Sequence, residues 1–271
     1  MALDADTFRQ ITETIDRFVR DRLIPAEAQV DEDNAIPPDI VSEMRDLGLF
    51  GLSIPEEYGG LGLTMVEEVE LAFRLGRASP AFRSLIGTNN GIGSQGILLD
   101  GTEQQKQTWL PRLASGEVIG SFALTEPDSG SDAASISLSA DPDGVDFILN
   151  GTKRYITNAP IAGLFTVMAR TDRTIEGAKG ITAFLVEGNT PGLSVGLPDR
   201  KMGQRGTKTA DVVFQNCRVP ASSIIGGIAG RGFSTAMKVL DRGRLHISAV
   251  CVGAAERLLD DALSFAMNRR Q

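Results

Sequence analysis

The sequence predicts an α+β protein of several domains: an all-α N-terminal domain, a middle β domain of barrel or sandwich type, and a C-terminal return to helix. Three observations carry this prediction. Apolar residues recur at helical spacing through roughly the first 115 residues. Short alternating runs bounded by turn signals then take over from about residue 118. Helical periodicity returns after the glycine-rich stretch Gly226-Gly227 and Gly230-Arg231-Gly232. The boundaries expected are 1–117, 118–225 and 226–271.

Residues 7–24 read as an amphipathic helix through Phe8, Ile11, Ile15, Phe18 and Leu23, which Pro25 is expected to end. Pro38 suits the first position of a second helix, with Ile40, Val41, Met44 and Leu47 as its apolar stripe and Gly48 after its end. Phe50 to Leu63 reads as loop. Thr64 with Glu67 forms a capping box, opening a helix that runs through Leu75 and is closed by Gly76. A further helical segment spans about 80–99. Thr102 with Gln105 is a second capping box, for a short helix that Pro111 is expected to close.

In the β region, Ile136 and Leu138 alternate with serines. Asp141-Pro142-Asp143-Gly144 marks a turn, and Asn150-Gly151 marks a two-residue hairpin after Val145, Phe147 and Leu149. Leu164–Ala169, Ile181–Val186 and Asp211–Phe214 are further strands. From Phe233 a helix longer than thirty residues is expected, through Met237, Leu240, Ile247, Val250, Ala254, Leu258, Ala262 and Phe265. No stop signal precedes Gln271, so its apolar face is expected to be covered by more of a larger protein or by another chain.

Composition narrows the function. A net charge of −8 argues against nucleic acid as the main partner, since phosphate binding needs a basic surface. Two cysteines, Cys217 and Cys251, show no metal-ligand spacing and read as reduced thiols. No apolar run has the length of a membrane span, and Met1-Ala2-Leu3-Asp4 does not read as a signal or transit peptide. A cytoplasmic protein is therefore expected.

Gly91-Ile92-Gly93-Ser94-Gln95-Gly96 matches a dinucleotide fingerprint but lies in a helical region, so packing at small residues is the expected reason for it. Glu126, Asp128 and Asp132 have no calcium-loop spacing, and no metal site is expected. The single histidine, His246, reads as structural. Arg242 and Arg244, early in the last helix, read either as surface ion pairs or as anchors for a substrate.

Two stretches stand apart. Ala123-Leu124-Thr125-Glu126-Pro127-Asp128-Ser129-Gly130-Ser131-Asp132 follows an apolar run and breaks into a loop of small, hydroxyl and acidic residues. Gly151-Thr152-Lys153-Arg154-Tyr155-Ile156-Thr157-Asn158 comes about twenty-five residues later. They resemble the first signature and the second conserved block of the acyl-CoA dehydrogenase family. Ile54-Pro55-Glu56-Glu57-Tyr58-Gly59-Gly60, Gly101-Thr102-Glu103-Gln104-Gln105-Lys106, Lys201-Met202-Gly203-Gln204-Arg205-Gly206 and Asp241-Arg242-Gly243-Arg244 resemble further family blocks, in family order.

The resemblance implies a C-terminal four-helix bundle, of which 226–271 is the first helix. It also implies FAD, an acyl-CoA substrate, an electron-transfer flavoprotein as electron acceptor, and a homotetramer. Phe122, Ala123, Leu124, Thr125, Gly130 and Ser131 would line the flavin and its phosphate arm. Tyr155, Ile156 and Thr157 would cover the isoalloxazine, with Tyr155 where the family usually has Trp. Ser131, Asp241 and Arg244 would contact the substrate. Arg269, Arg270 and Gln271 fall where the family reaches a neighbouring subunit's FAD. Gly243 stands where some branches carry the catalytic glutamate, so no catalytic residue is assigned and the base is expected outside this chain. Two alternatives stay open: a flavin oxidase or monooxygenase on the same fold, and a non-catalytic subunit completed by a partner chain.

Overall fold

The Asp4 carboxylate accepts the N–H groups of Asp6 and Thr7 and so starts α1 (Ala5–Phe18). A computed structural model describes residues 3–271. Met1 and Ala2, part of the stretch read as no targeting signal, lie outside the described residues. Pro25 does not end the first helix. Val19–Leu23 winds as a π turn, with Ile24 N–H bonded to Val19 O, and α2 (Ile24–Asp33) continues directly. Proline is tolerated there because the widened turn has already displaced the regular hydrogen-bond ladder.

Pro38 opens α3 (Pro38–Asp46), and Gly48 follows its end at φ +68. Ile40 and Met44 bury their side chains in the N-terminal core with Phe18, Leu23, Leu71 and Phe82. The Thr64–Glu67 capping box forms with both reciprocal bonds and opens α4 (Met65–Gly76). Gly76 is the last helical residue rather than a cap, because the C-terminal helix crosses there: a Cβ on Gly76 would lie 2.5 Å from Val250 O. The chain continues through α5 (Pro80–Asn90), α6 (Gln95–Asp100) and α7 (Glu103–Ala114). Gly91–Ser94 only breaks α5 from α6, with no strand before it. The Thr102–Gln105 capping box is also complete. Pro111 sits inside α7 without closing it, since buried Leu110 and Leu113 hold the last turn in place.

Seven strands follow: β1 (Gly120–Ala123), β2 (Ser139–Asp143), β3 (Asp146–Thr157), β4 (Leu164–Arg170), β5 (Ile181–Glu187), β6 (Leu193–Val195) and β7 (Thr209–Pro220). The expected barrel or sandwich takes the form of one curled sheet, ordered β1-β4-β2-β3-β7-β6, with β5 also paired to β4. Gly144 makes the expected turn between β2 and β3. Asn150-Gly151 is not a hairpin. It is a bulge inside β3, where the register against β7 shifts between Leu149 and Gly151. Asn150 Oδ1 accepts the N–H of Asn216 at 2.7 Å, which fixes the kink from the side. Gly151 adopts φ +142, and a Cβ there would meet Leu138 at 3.0 Å.

The last element, α8 (Gly232–Asn268), spans 37 residues. Its first turns pack with α6 and β5 through Ala236 and Val239. Its middle lies on α4 through Ala249 and Val250. Beyond that it exposes Leu258, Leu259, Leu263, Phe265 and Met267.

Candidate functional site

The two singled-out stretches lie side by side. Although β1 and β3 are not paired in the sheet, its curl brings them together. Arg154 N–H donates to Thr125 O at 2.8 Å, and Ser121 Oγ donates to Thr157 O at 2.6 Å. Beneath this seam Lys153 is fully buried, its Nζ donating to Leu124 O and to Glu126 Oε1, each at 2.8 Å. Burial pushes the Lys153 ammonium down to about 8, against the pull of Glu126. Burial alone would raise the Glu126 carboxyl, but the charge and hydrogen bond of Lys153, with the N–H groups of Ser137 and Leu138, hold it below its ordinary value. Glu126 is thus the structural bolt of the loop.

The strand above the bolt is irregular. The β3–β7 register shifts again between Lys153 and Ile156, and Tyr155 within the bulge takes φ +58. A bulky residue in the left-handed region is uncommon and held by its surroundings. The bulge turns the Tyr155 ring outward, to 59% exposure, under the guanidinium of Arg154 at 4.9 Å. Tyr155 is therefore not a core aromatic. Ile156 next to it is buried, as are Phe122, Ala123 and Leu124 on the β1 side. Thr125 and Thr157 are half-buried, while Gly130 and Ser131 are exposed on the loop. Among the described residues the side-chain hydroxyls of Thr125, Ser131 and Thr157 have no hydrogen-bond partner, although the backbone around them is paired.

Thr157 also reaches a cavity of about 300 Å3 between this wall, α5 and α8. Arg83, Gly87, Arg242, Arg244 and His246 line it with Thr157. Of the expected substrate residues, the structure brings Arg244 here. Asp241 is exposed and ion-paired to Arg244, so the surface ion pair expected of this arginine is present, and the same residue lines the cavity. Ser131 is not among the lining residues. Arg269, Arg270 and Gln271 are exposed at the far end of α8. Arg269 contacts its own helix, through its N–H to Phe265 O and its guanidinium over the Phe265 ring.

Glu68 has no place in the sequence reading, yet it is fully buried and accepts from both Arg242 and His246, the latter at 2.6 Å. The signal for it exists: Glu68 shares the apolar stripe of α4 with Leu71, Ala72 and Leu75, where a carboxylate is out of place without a partner. Among the described residues no group of three His, Cys, Asp or Glu could hold a metal ion. Cys217 and Cys251 are free, one buried and one exposed. Among the described residues no helix is long and apolar enough to cross a membrane.

Three family models match the chain in succession: the acyl-CoA dehydrogenase N-terminal domain over residues 5–117, the middle domain over 121–217 and the C-terminal domain over 230–271. The human mitochondrial short-chain specific acyl-CoA dehydrogenase is 40% identical over 264 residues, covering 97% of this chain and 64% of the relative. The chain thus spans less than two thirds of that relative's length. The structure of butyryl-CoA dehydrogenase from Megasphaera elsdenii superposes with a TM-score of 0.93 at 32% identity, covering 100% of this chain and 72% of the other. A glutaryl-CoA dehydrogenase from Mycobacterium smegmatis, in complex with FADH2, gives a TM-score of 0.88 at 36% identity, covering 99% and 67%.

Proposed function

Because the chain belongs to the acyl-CoA dehydrogenase family, we propose that it holds FAD against the seam between β1 and β3 and an acyl-CoA thioester in the adjoining cavity. A protein carrying this chain would oxidise that thioester to the 2,3-enoyl-CoA and pass the electrons to an electron-transfer flavoprotein. One observation carries the reading: three hydroxyls without partners, Thr125, Ser131 and Thr157, flank a bulge that turns Tyr155 out of the sheet. Unmatched hydroxyls and an exposed aromatic face fit a planar, hydrogen-bonding heterocycle.

When bound, the flavin would supply the acceptor for the β hydride. The chain's own residues bind and orient. Thr125 and Thr157 offer hydrogen bonds to the ring edges, and buried Leu124 and Ile156 back the wall. Tyr155 covers a face with less area than the usual Trp. Exposed Gly130 and Ser131 are placed for the phosphate arm. Arg244, in the cavity lining, and Asp241, ion-paired to it, would meet the CoA portion. A thioester α proton is too weakly acidic for a carboxylate base unless hydrogen bonds stabilise the developing enolate, each worth roughly 3 kcal/mol in a water-excluded site. No base is assigned within 1–271: Gly243 carries no side chain, and His246 is already engaged by Glu68. The base is proposed to come from outside this chain, as is the flavin contact of the homotetramer through Arg269 and Gln271. A cytoplasmic setting is part of the proposal, and two free thiols are compatible with it.

Purified protein carrying this chain should show flavin absorbance or acquire it on adding FAD. Thr157→Val should weaken FAD binding by roughly tenfold, the worth of one hydrogen bond. A protein that folds, shows no flavin bands and gains none with FAD would refute the reading.

A further inference from the structure

His246 lines the cavity beside Thr157 and is otherwise enclosed, with 5% of its surface exposed. Its Nε2 lies 2.6 Å from Glu68 Oε2, and Arg242 donates to the other oxygen of the same carboxylate. An ionised carboxylate only accepts, so Nε2 carries a proton toward Glu68. Glu68 and Arg242 balance each other's charge. A neutral imidazole with its proton on Nε2 then presents a bare lone pair at Nδ1. Among the described residues Nδ1 has no hydrogen-bond partner. Glu68 therefore acts on the ring in two ways: it holds the imidazole in place, and it decides that the free nitrogen is an acceptor. The four other basic side chains of the lining, Arg83, Lys201, Arg242 and Arg244, can only donate.

An open acceptor on a cavity wall is completed by water while the cavity is empty. A ligand group that displaces this water keeps affinity only by replacing its hydrogen bond. A methyl group cannot do so, and a carbonyl or carboxylate oxygen brings a second lone pair to face the first. A hydroxyl donates and fits. The α and β carbons of the thioester belong at the flavin wall, with Thr157, whereas His246 is tied to α4 through Glu68. The donor must therefore sit beyond the β carbon. We infer that His246 is a specificity residue that accepts a hydrogen bond from a hydroxyl on the distal part of the acyl chain, with Glu68 as the positioning residue that fixes its tautomer. This rests on the proposed acyl-CoA function and deepens it.

The test is a calorimetric titration at pH 8 of the FAD-loaded protein, reduced beforehand so that ligands bind without turnover. The ligands are 5-hydroxyhexanoyl-CoA and 5-oxohexanoyl-CoA, the 6-hydroxy and 6-oxo derivatives of heptanoyl-CoA, and free CoA. Alcohol and ketone match in length and shape, and the donors of the lining serve both alike, so their ratio isolates Nδ1. At one chain length or both, the wild type should bind the alcohol roughly tenfold more tightly than the ketone, the worth of one hydrogen bond. His246→Phe should lower the alcohol to the level of the ketone. Glu68→Gln should instead raise the ketone to the level of the alcohol. Its amide oxygen must face Arg242, which leaves the NH2 to donate to Nε2, moves the ring proton to Nδ1 and turns that atom into a donor. A merely structural role for Glu68 would not move this ratio. Free CoA should bind all three proteins alike. Should H246F fail to fold, E68Q alone decides. The inference is overturned if the wild type takes the ketone as well as the alcohol at both lengths, or if E68Q or H246F keeps the wild-type ratio. If the reduced, FAD-loaded wild type binds none of the thioesters, the parent reading falls as well, a result distinct from the others.

Discussion

Glu126 and Glu68 are both buried carboxylates, one inside the β domain and one between two helices, and they are neutralised in different ways. Glu126 is closed on every side. Lys153 Nζ, Ser137 N–H, Ser137 Oγ and Leu138 N–H all donate to it within 2.9 Å, and Lys153 itself is fully buried. Glu68 is equally buried, as is its partner His246, but its partner Arg242 is not. Arg242 keeps a quarter of its side chain accessible, and both Arg242 and His246 line the cavity. The difference separates two jobs. The first pair welds the loop after β1 to β3 and so fixes the wall proposed for the flavin. The second ties α8 to α4 while leaving Arg242 and His246 on the wall of the cavity. A closed pair tolerates little change, whereas an open one can rehydrate through the cavity.

Lys153→Met puts the greatest strain on that contrast. It leaves Glu126 ionised and buried without its counter-charge, and should cost about 3–5 kcal/mol of unfolding free energy, read from urea melts. A loss below about 1 kcal/mol would mean that the three other donors alone satisfy the carboxylate. The same variant should lose FAD, since Lys153 also holds Leu124 O at the start of the loop.

Glu68→Gln should cost less, about 2 kcal/mol, because the amide can still accept a hydrogen bond and Arg242 can turn toward water in the cavity. Equal losses from K153M and E68Q would erase the distinction between a closed and an open pair. A smaller loss from E68Q sharpens it.

The contrast also explains what could be read before any coordinates. The capping boxes at Thr64 and Thr102 were legible because both members lie within four residues, and local chemistry decides them. The bolt and the wall were half-legible. Glu126 and Lys153 both lie in recognisable stretches, but their pairing needs the sheet to curl. Asn150-Gly151 misled because hairpin and bulge share the same local preference, and the choice falls to Asn216 on a strand 66 residues away. Pro25 and Pro111 misled for a related reason: a proline weakens a helix by an amount that neighbouring packing can offset. Glu68 lay in plain view on an apolar stripe, but Arg242 and His246 are 174 and 178 residues distant, so nothing local named its partners.

The smallest expected effect separates the two pairs by pH. Lys153 holds its proton less tightly when folded, its value falling from 10.5 to about 8. Below about pH 8 both the folded and the unfolded chain keep that proton, so this lysine adds no pH dependence. Between about 8 and 10.5 the unfolded chain retains a proton that the folded chain has released. Unfolding free energy therefore rises with pH across this window, by at most about 1.4 kcal/mol per pH unit from this group. Methionine at 153 removes the effect, so the stability gap between wild type and K153M should widen from pH 8 to pH 10, as measured by urea melts at pH 7, 8.5 and 10. The same series on E68Q gives the reference for a buried carboxylate whose partners include no lysine. A K153M gap that stays constant or narrows would mean that the ammonium survives in the folded state well above pH 8. Glu126 would then outweigh burial at Lys153, and the weld would be a true ion pair throughout the range.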